Sequence, residues 1–240
     1  MKIVTLALLL SLAAPIAQPQ SRPDLLKPEK PWETTLYVTG GPAIAYKDYV
    51  YFSAGQPAYY YRKALNIFTA GVSVGKVLHY YGLPSHPRGQ LEYVAEFEPL
   101  WLAHTPAQTT HLYQYGTYVT LGSPPNTNTN LVEIVPHNLQ SGIAVTPLLV
   151  RYRFPEAKRV TPYIQLGGGL LFTFHDFPQP NSSVVNFTPQ VDFGTHIRTR
   201  PQQAIVLGLN VEHISNAELG NINHGVNVSL IFRAGYTWWH

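Results

Sequence analysis

The feature that most constrains this chain is a side-chain alternation of period two that sets charges, and not merely polar groups, against apolar residues. In "GQLEYVAEFEPLW" one face carries Leu91, Tyr93, Ala95 and Phe97, and the other carries Glu92, Glu96 and Glu98. In "PLLVRYRF" Leu148, Val150, Tyr152 and Phe154 oppose Arg151 and Arg153, and in "VDFGTHIRTR" Val191, Phe193 and Ile197 oppose Asp192, His196, Arg198 and Arg200. The last strand sets Val228, Leu230, Phe232, Tyr236 and Trp238 against Ser229 and Arg233. Successive side chains of a β-strand point to opposite faces, so each segment is a strand with one oily and one ionic face.

The pattern predicts strands over 34–46, 66–80, 89–103, 142–154, 160–174, 187–199, 203–215 and 226–239. Two architectures compete for them. A soluble exported lipid-binding barrel or sandwich turns its apolar face inward and gives its charges to water. A transmembrane β-barrel does the reverse: ion pairs and small residues such as Gly167, Gly169 and Gly208 fill a narrow lumen, and the apolar face meets lipid. Charged residues make up only 12% of the chain, beside 16 Tyr, 10 Phe and 4 Trp, too few charges for an ordinary wetted surface. Residues 1–20 have the lysine, short apolar core and small residues of a secretory signal peptide, and no later apolar run reaches the 18 residues of a membrane helix. An exported chain without cysteine is not a disulfide scaffold. The expected fold is therefore all-β: an eight-stranded antiparallel transmembrane β-barrel over 34–240, preceded by a periplasmic segment at 21–33.

The connections have a rhythm. The gaps 81–88, 155–159 and 200–202 are short, whereas 47–65, 104–141, 175–186 and 216–225 are longer, as periplasmic turns alternate with extracellular loops in outer-membrane barrels. Segment 104–141 reads as an elaborated external loop, although "HLYQYGTYVTLG", with 111–121 in it, is also compatible with a strand. The tyrosine-rich stretch 47–65 suits the lipid headgroup level. A net charge of +3 and a pI near 9.0, with no basic stripe, exclude a nucleic-acid partner. The ten histidines show no metal-ligand spacing, so no metal or other cofactor is expected, and no GxSxG elbow marks an α/β-hydrolase.

One strand breaks its own pattern. In "QQAIVLGLNVEHIS" the residues Ile205, Leu207, Leu209 and Val211 share a face with His213 and Ser215. A histidine and a serine two residues apart can act as base and nucleophile toward an ester, and on a lipid-facing wall the ester would belong to a lipid. The same pair can equally mark the depth where the strand reaches the headgroups, since two residues alone do not make a catalytic site.

The stretch "HISNAELGNINHGVN" resembles the signature of the outer-membrane lipid A 3-O-deacylases (PagL-type, acyloxyacyl hydrolase-like), with weaker similarity in "RGQLEYVAEFEPL", "TPYIQLGGGLLFT" and "VNFTPQVDFGTHIR". The resemblance implies a serine esterase in the bacterial outer membrane that hydrolyses the ester-linked 3-hydroxyacyl chain of lipopolysaccharide. By position it implies His213 as base and Ser215 as nucleophile, with Asn216 supporting the site and Asn223 donating to the oxyanion. The family's third catalytic position, a glutamate in its best-known members, falls on Asn227. Strict alternation points Asn227 inward unless a bulge re-aims it. Asparagine can hold an imidazole tautomer but cannot stabilise an imidazolium by charge. Glu218 is a second candidate for the third role, and Glu212 is excluded because its parity faces the lumen. Lys47, Arg62 and Lys63 are candidates for holding lipid A phosphates. The competing function is a non-catalytic outer-membrane barrel with a structural or surface-binding role.

Overall fold

A computed structural model describes residues 32–43, 47–50, 59–62, 64–83, 86–114, 127–178, 182–217 and 226–240. They form twelve strands: β1 (Trp32–Ala43), β2 (Lys47–Val50), β3 (Tyr59–Arg62), β4 (Leu65–Leu83), β5 (His86–Thr105), β6 (Gln108–Gln114), β7 (Thr127–Val135), β8 (Asn138–Arg153), β9 (Val160–Phe177), β10 (Ser183–Arg200), β11 (Gln203–Ile214) and β12 (Val226–Trp239). The expected signal peptide and most of the segment 21–33 lie outside the described residues.

Eight strands close into an antiparallel barrel in the order β1-β12-β11-β10-β9-β8-β5-β4. Closure is made by β1, which pairs with β4 on one side and with β12 on the other. A closed ring satisfies its backbone donors and acceptors internally, which is what hydrocarbon demands. The eight expected strands are all present; β12 has the expected bounds and the other seven are displaced at one or both ends by up to four residues. Four connections differ from expectation. The gaps read as 81–88 and 175–186 shrink to 84–85 and 178–182, because the strands on either side extend further. The loops 47–65 and 104–141 contain strands of their own, β2, β3, β6 and β7, which pair in that order as a second sheet. That order repeats β1-β4-β5-β8, so four neighbouring barrel strands each have a continuation beyond the barrel.

The faces are those of a barrel turned inside out relative to a soluble one. Leu36, Phe68, Leu148, Leu166, Phe193 and Phe232 are 44–70% exposed on the outside. Burying such a side chain is worth about 1.5–3 kcal/mol. A wall of them left in water would therefore forfeit as much as a domain's whole net stability of about 5–15 kcal/mol. Inside, Arg151 and Arg153 both pair with Glu33, and they reach Glu92 at 3.4 and 3.0 Å. Arg233 lies 2.6 Å from Glu96 and 3.2 Å from Asp192, and its guanidinium sits over the Tyr37 ring at 4.3 Å. Buried charges survive only when paired and hydrogen-bonded, and here Gln165 adds a bond to Glu96 at 3.1 Å and accepts one from Arg151 at 2.9 Å. The soluble-barrel alternative required the opposite arrangement.

The filling changes along the axis. Above the ion pairs, Ala43, Leu65, Ile67, Trp101, Ala103, Ala144, Leu171, Phe177, Ile214, Val226 and Ile231 form one buried apolar cluster, with Trp101 edge-on to Phe177 at 5.0 Å between centroids. This plug sits at the end where the longer connections lie. In the wall, a Cβ on Gly167, whose φ is +155, would overlap the Leu148 carbonyl oxygen, so the "GGG" run serves close strand approach and not a phosphate cradle.

Candidate active site

The site is assembled at the plug end of β11. Alternation along this strand is clean: Ala204, Val206 and Asn210 are buried inward, while Leu207 is 46% exposed outward. Continuing that parity, Ile214 is fully buried in the plug, and His213 and Ser215 fall on the outer face, half-exposed. They are two residues apart on the same face, so about 6.6 Å along the strand.

Each side of β11 is tied at this level. Toward β10, the Phe187 N–H donates to the Ser215 carbonyl at 2.6 Å and the Ser215 N–H donates to the Phe187 carbonyl at 3.1 Å. This bridge continues the β10–β11 register past the end of the regular strand. Immediately beyond, Ala217 has φ +51, a left-handed conformation that ends the strand. Toward β12, the register runs evenly as far as Glu212↔Ser229 and then shifts, so that Ile214 pairs with Val226. One extra residue is therefore inserted in β12, and Asn227–Val228 together lie opposite His213. Without the shift, Val226 would share the outward parity of Leu230 and Phe232. Instead it is fully buried beside Ile214 and Ile231.

Strict alternation along the last strand would put Val226 outward with Leu230, and the register shift turns it inward. The expected inward parity of Asn227 assumed unbroken alternation, which the bulge interrupts at that residue. Asn216 is 1% exposed and aligned across from Asn186, itself fully buried. That position permits support of the strand end and not contact with a molecule lying on the outer wall. Glu212 lines a small lumenal void with Glu98, Asn210 and Arg233, on the face opposite His213.

The remaining candidates divide by position. Asn223, Glu218 and Lys63 lie outside the described residues. Lys47 and Arg62 are backbone partners across β2 and β3, which continue β1 and β4 beyond the barrel. Since β1 neighbours β12, this basic pair belongs to the wall adjoining the site. Among the described residues no three of His, Asp and Glu converge as metal ligands.

Sequence reasoning passed over three contributors. Ile214 and Val226 are the paired inward anchors just beyond the bulge, and Phe187 is the backbone tether of Ser215. Parity alone could have singled out Ile214, but a bulge leaves no mark in a hydrophobic pattern that is already irregular at a strand's start. Down the outer wall, Val38, Gly40, Phe68, Leu207, Phe232 and Ala234 line an apolar groove in which small residues separate large ones. Leu207 is six residues before His213, about 20 Å along the strand, so the groove lies at hydrocarbon depth below the site.

A family model described as lipid A 3-O-deacylase (PagL) matches residues 90–237, more than half of the chain. The match runs from β5 into the end of β12 and takes in His213, Ser215, Asn216 and Asn227. No curated protein matches the chain. Among solved structures, it is similar to one described as the crystal structure of the outer membrane enzyme PagL, at 13% identity and a TM-score of 0.44, over 86% of this chain and 98% of that one.

Proposed function

The chain belongs to the lipid A 3-O-deacylase family, and from that premise we propose that His213 and Ser215 are the base and nucleophile of an ester hydrolase working on the outer, lipid-facing wall of an outer-membrane barrel. The observation that carries the reading is the placement of both residues on the outer face of β11, at the depth where the apolar wall ends. A base and nucleophile facing lipid suit a substrate that never leaves the membrane.

In the mechanism that follows, the His213 imidazole takes the Ser215 hydroxyl proton as the oxygen attacks the carbonyl of the 3-hydroxyacyl ester. The tetrahedral oxyanion collapses, the sugar oxygen leaves with the proton from His213, and water releases the acyl group by the same steps in reverse roles. Asn223 is the proposed oxyanion donor and Asn216 a support of the strand end; an amide donor of this kind is worth roughly 3–4 kcal/mol in comparable sites. Asn227, opposite His213 at the bulge, is the proposed third member, fixing the imidazole tautomer, and Glu218 is its alternative. The apolar groove below the site would receive an acyl chain, and Lys47, Arg62 and Lys63 would hold lipid A phosphates. Residues 1–20 serve as the export signal, and the segment from 21 is a periplasmic lead into β1, which begins at Trp32, two residues before the expected start of the barrel at 34.

The experiment is expression of the full chain in a bacterial outer membrane followed by mass spectrometry of the extracted lipid A. Loss of one 3-hydroxyacyl chain is the expected result. Unchanged lipid A from a membrane in which the barrel is demonstrably folded would favour the non-catalytic alternative.

A further inference from the structure

The opposite end of the barrel holds a feature that the esterase chemistry does not use. Ala157 and Val160 are bridged by backbone hydrogen bonds of 2.8 and 2.9 Å, closing a two-residue turn between β8 and β9. Its central residues, Lys158 and Arg159, have φ of 50 and 75. This is the geometry that Asn-Gly adopts without strain, and a side chain with a Cβ is disfavoured at both places. Two long cations therefore stand where the backbone alone would favour neither.

They are not isolated. The Arg198 N–H donates to the Arg159 carbonyl at 2.8 Å, which joins this turn to the β10–β11 hairpin, where Arg200 is exposed. On the other side, the Tyr152 hydroxyl donates to the Arg88 carbonyl at 2.8 Å, which joins the β8 end to the β4–β5 hairpin, where Arg88 is exposed. Among the described residues at the turn ends of these hairpins, 81–88, 154–160 and 198–203, the one acid is Glu156, and it is paired with Arg198. Arg88, Lys158, Arg159 and Arg200 are left as an exposed row of like charge along consecutive turns.

The depth of this row is marked by aromatic rings. Tyr81, Tyr152 and Phe154 contact one another on the outer wall, at centroid distances of 5.9 and 5.0 Å, and the Lys76 ammonium lies over the Trp32 ring at 5.0 Å. Amphipathic rings gather at the headgroup level of a bilayer. We propose that the hairpin end of the barrel is a binding rim for anionic phospholipid headgroups of the leaflet on that side, with Arg88, Lys158, Arg159 and Arg200 as its contacts. A phosphodiester carrying net negative charge is what a row of exposed guanidinium and ammonium groups beside an aromatic belt recognises. This rests on the membrane-spanning reading and is independent of the esterase chemistry.

The test uses the full chain folded into nanodiscs of phosphatidylethanolamine with a minor share of phosphatidylglycerol, and native mass spectrometry of the lipids retained per barrel. The intact protein should retain phosphatidylglycerol in excess of its share. In the double variant Lys158→Asn, Arg159→Gly the excess should fall about fivefold for each charge removed, while the urea midpoint rises because the turn relaxes. Arg200→Gln, which leaves the turn untouched, should lower the excess by about fivefold alone. Lipid A deacylation should be unaltered in both. Retention in proportion to bulk composition by the intact protein, or an excess unchanged in the double variant, would overturn the proposal.

Discussion

The two halves of the barrel wall end differently. On the plug side β1, β4, β5 and β8 are continued by β2, β3, β6 and β7 into a second sheet, whereas β9, β10, β11 and β12 have no such continuation among the described residues. The proposed site is in the second group, on β11 beside the β12 bulge. A membrane lipid can approach such a wall sideways, with its chains in the bilayer, only where the strands do not stand up around its headgroup. The proposed catalytic pair thus stands on the uncontinued half, while the continued half supplies the scaffold and part of the proposed substrate-holding surface. The two are held together through the lumen: Arg233 of β12 joins Asp192 of β10, on the site side, to Glu96 of β5, on the other.

The largest effect is expected at Ser215. Ser215→Ala should lower the deacylation rate by about 10⁴-fold or more, read from lipid A mass spectra over time, with the barrel's heat-modifiable gel mobility unchanged. Next in size is the tie between halves. Arg233→Met leaves Glu96 and Asp192 without their shared cation and should cost about 3–5 kcal/mol, read as a lower urea midpoint in lipid vesicles. Ile214→Ala removes the inward anchor between His213 and Ser215. It should cost about 2–5 kcal/mol and reduce kcat more than KM, with Ile214→Val restoring most of both.

A smaller effect, of opposite sign, belongs to Asn227. Asn227→Glu should raise the rate by roughly tenfold if the residue opposite His213 is the tautomer-holding partner, since a charge-assisted hydrogen bond is about twice as strong as a neutral one. An unchanged rate would move the third role to Glu218. Least of all should follow from replacing 106–137 with a short turn, which removes β6 and β7. Deacylation within about twofold of the intact protein is expected on the additivity of distant sites, and a collapse of activity would make β6 and β7 part of the site.

Much of this was legible in the residues, and for a physical reason. A lumen only as wide as its side chains forces charges to pair across it, so the acids of "LEYVAEFE" and the bases of "VRYR" announce both the strands and their inward face. The outward placement of His213 and Ser215 follows from the same period. Three things were not legible. The strands inside 47–65 and 104–141 mix polar and apolar residues on both faces, so alternation is weak there and only 111–121, whose part beyond Gln114 lies outside the described residues, read as a possible strand. The apolar plug reverses the polar-in rule, which hid the inward direction of Val226. The bulge is a matter of register between β11 and β12, set by the Ile214↔Val226 pairing across strands, which a pattern read along one strand at a time does not contain.

The central claim is that Ser215, activated by His213, is a nucleophile on the outer wall. Its most direct test is covalent: the full chain in outer-membrane vesicles is treated with a serine-directed fluorophosphonate, and the adduct is mapped by peptide mass spectrometry. A single phosphonyl adduct on Ser215, absent in His213→Ala, is expected. An adduct on another serine, or deacylation that continues in Ser215→Ala, would contradict it.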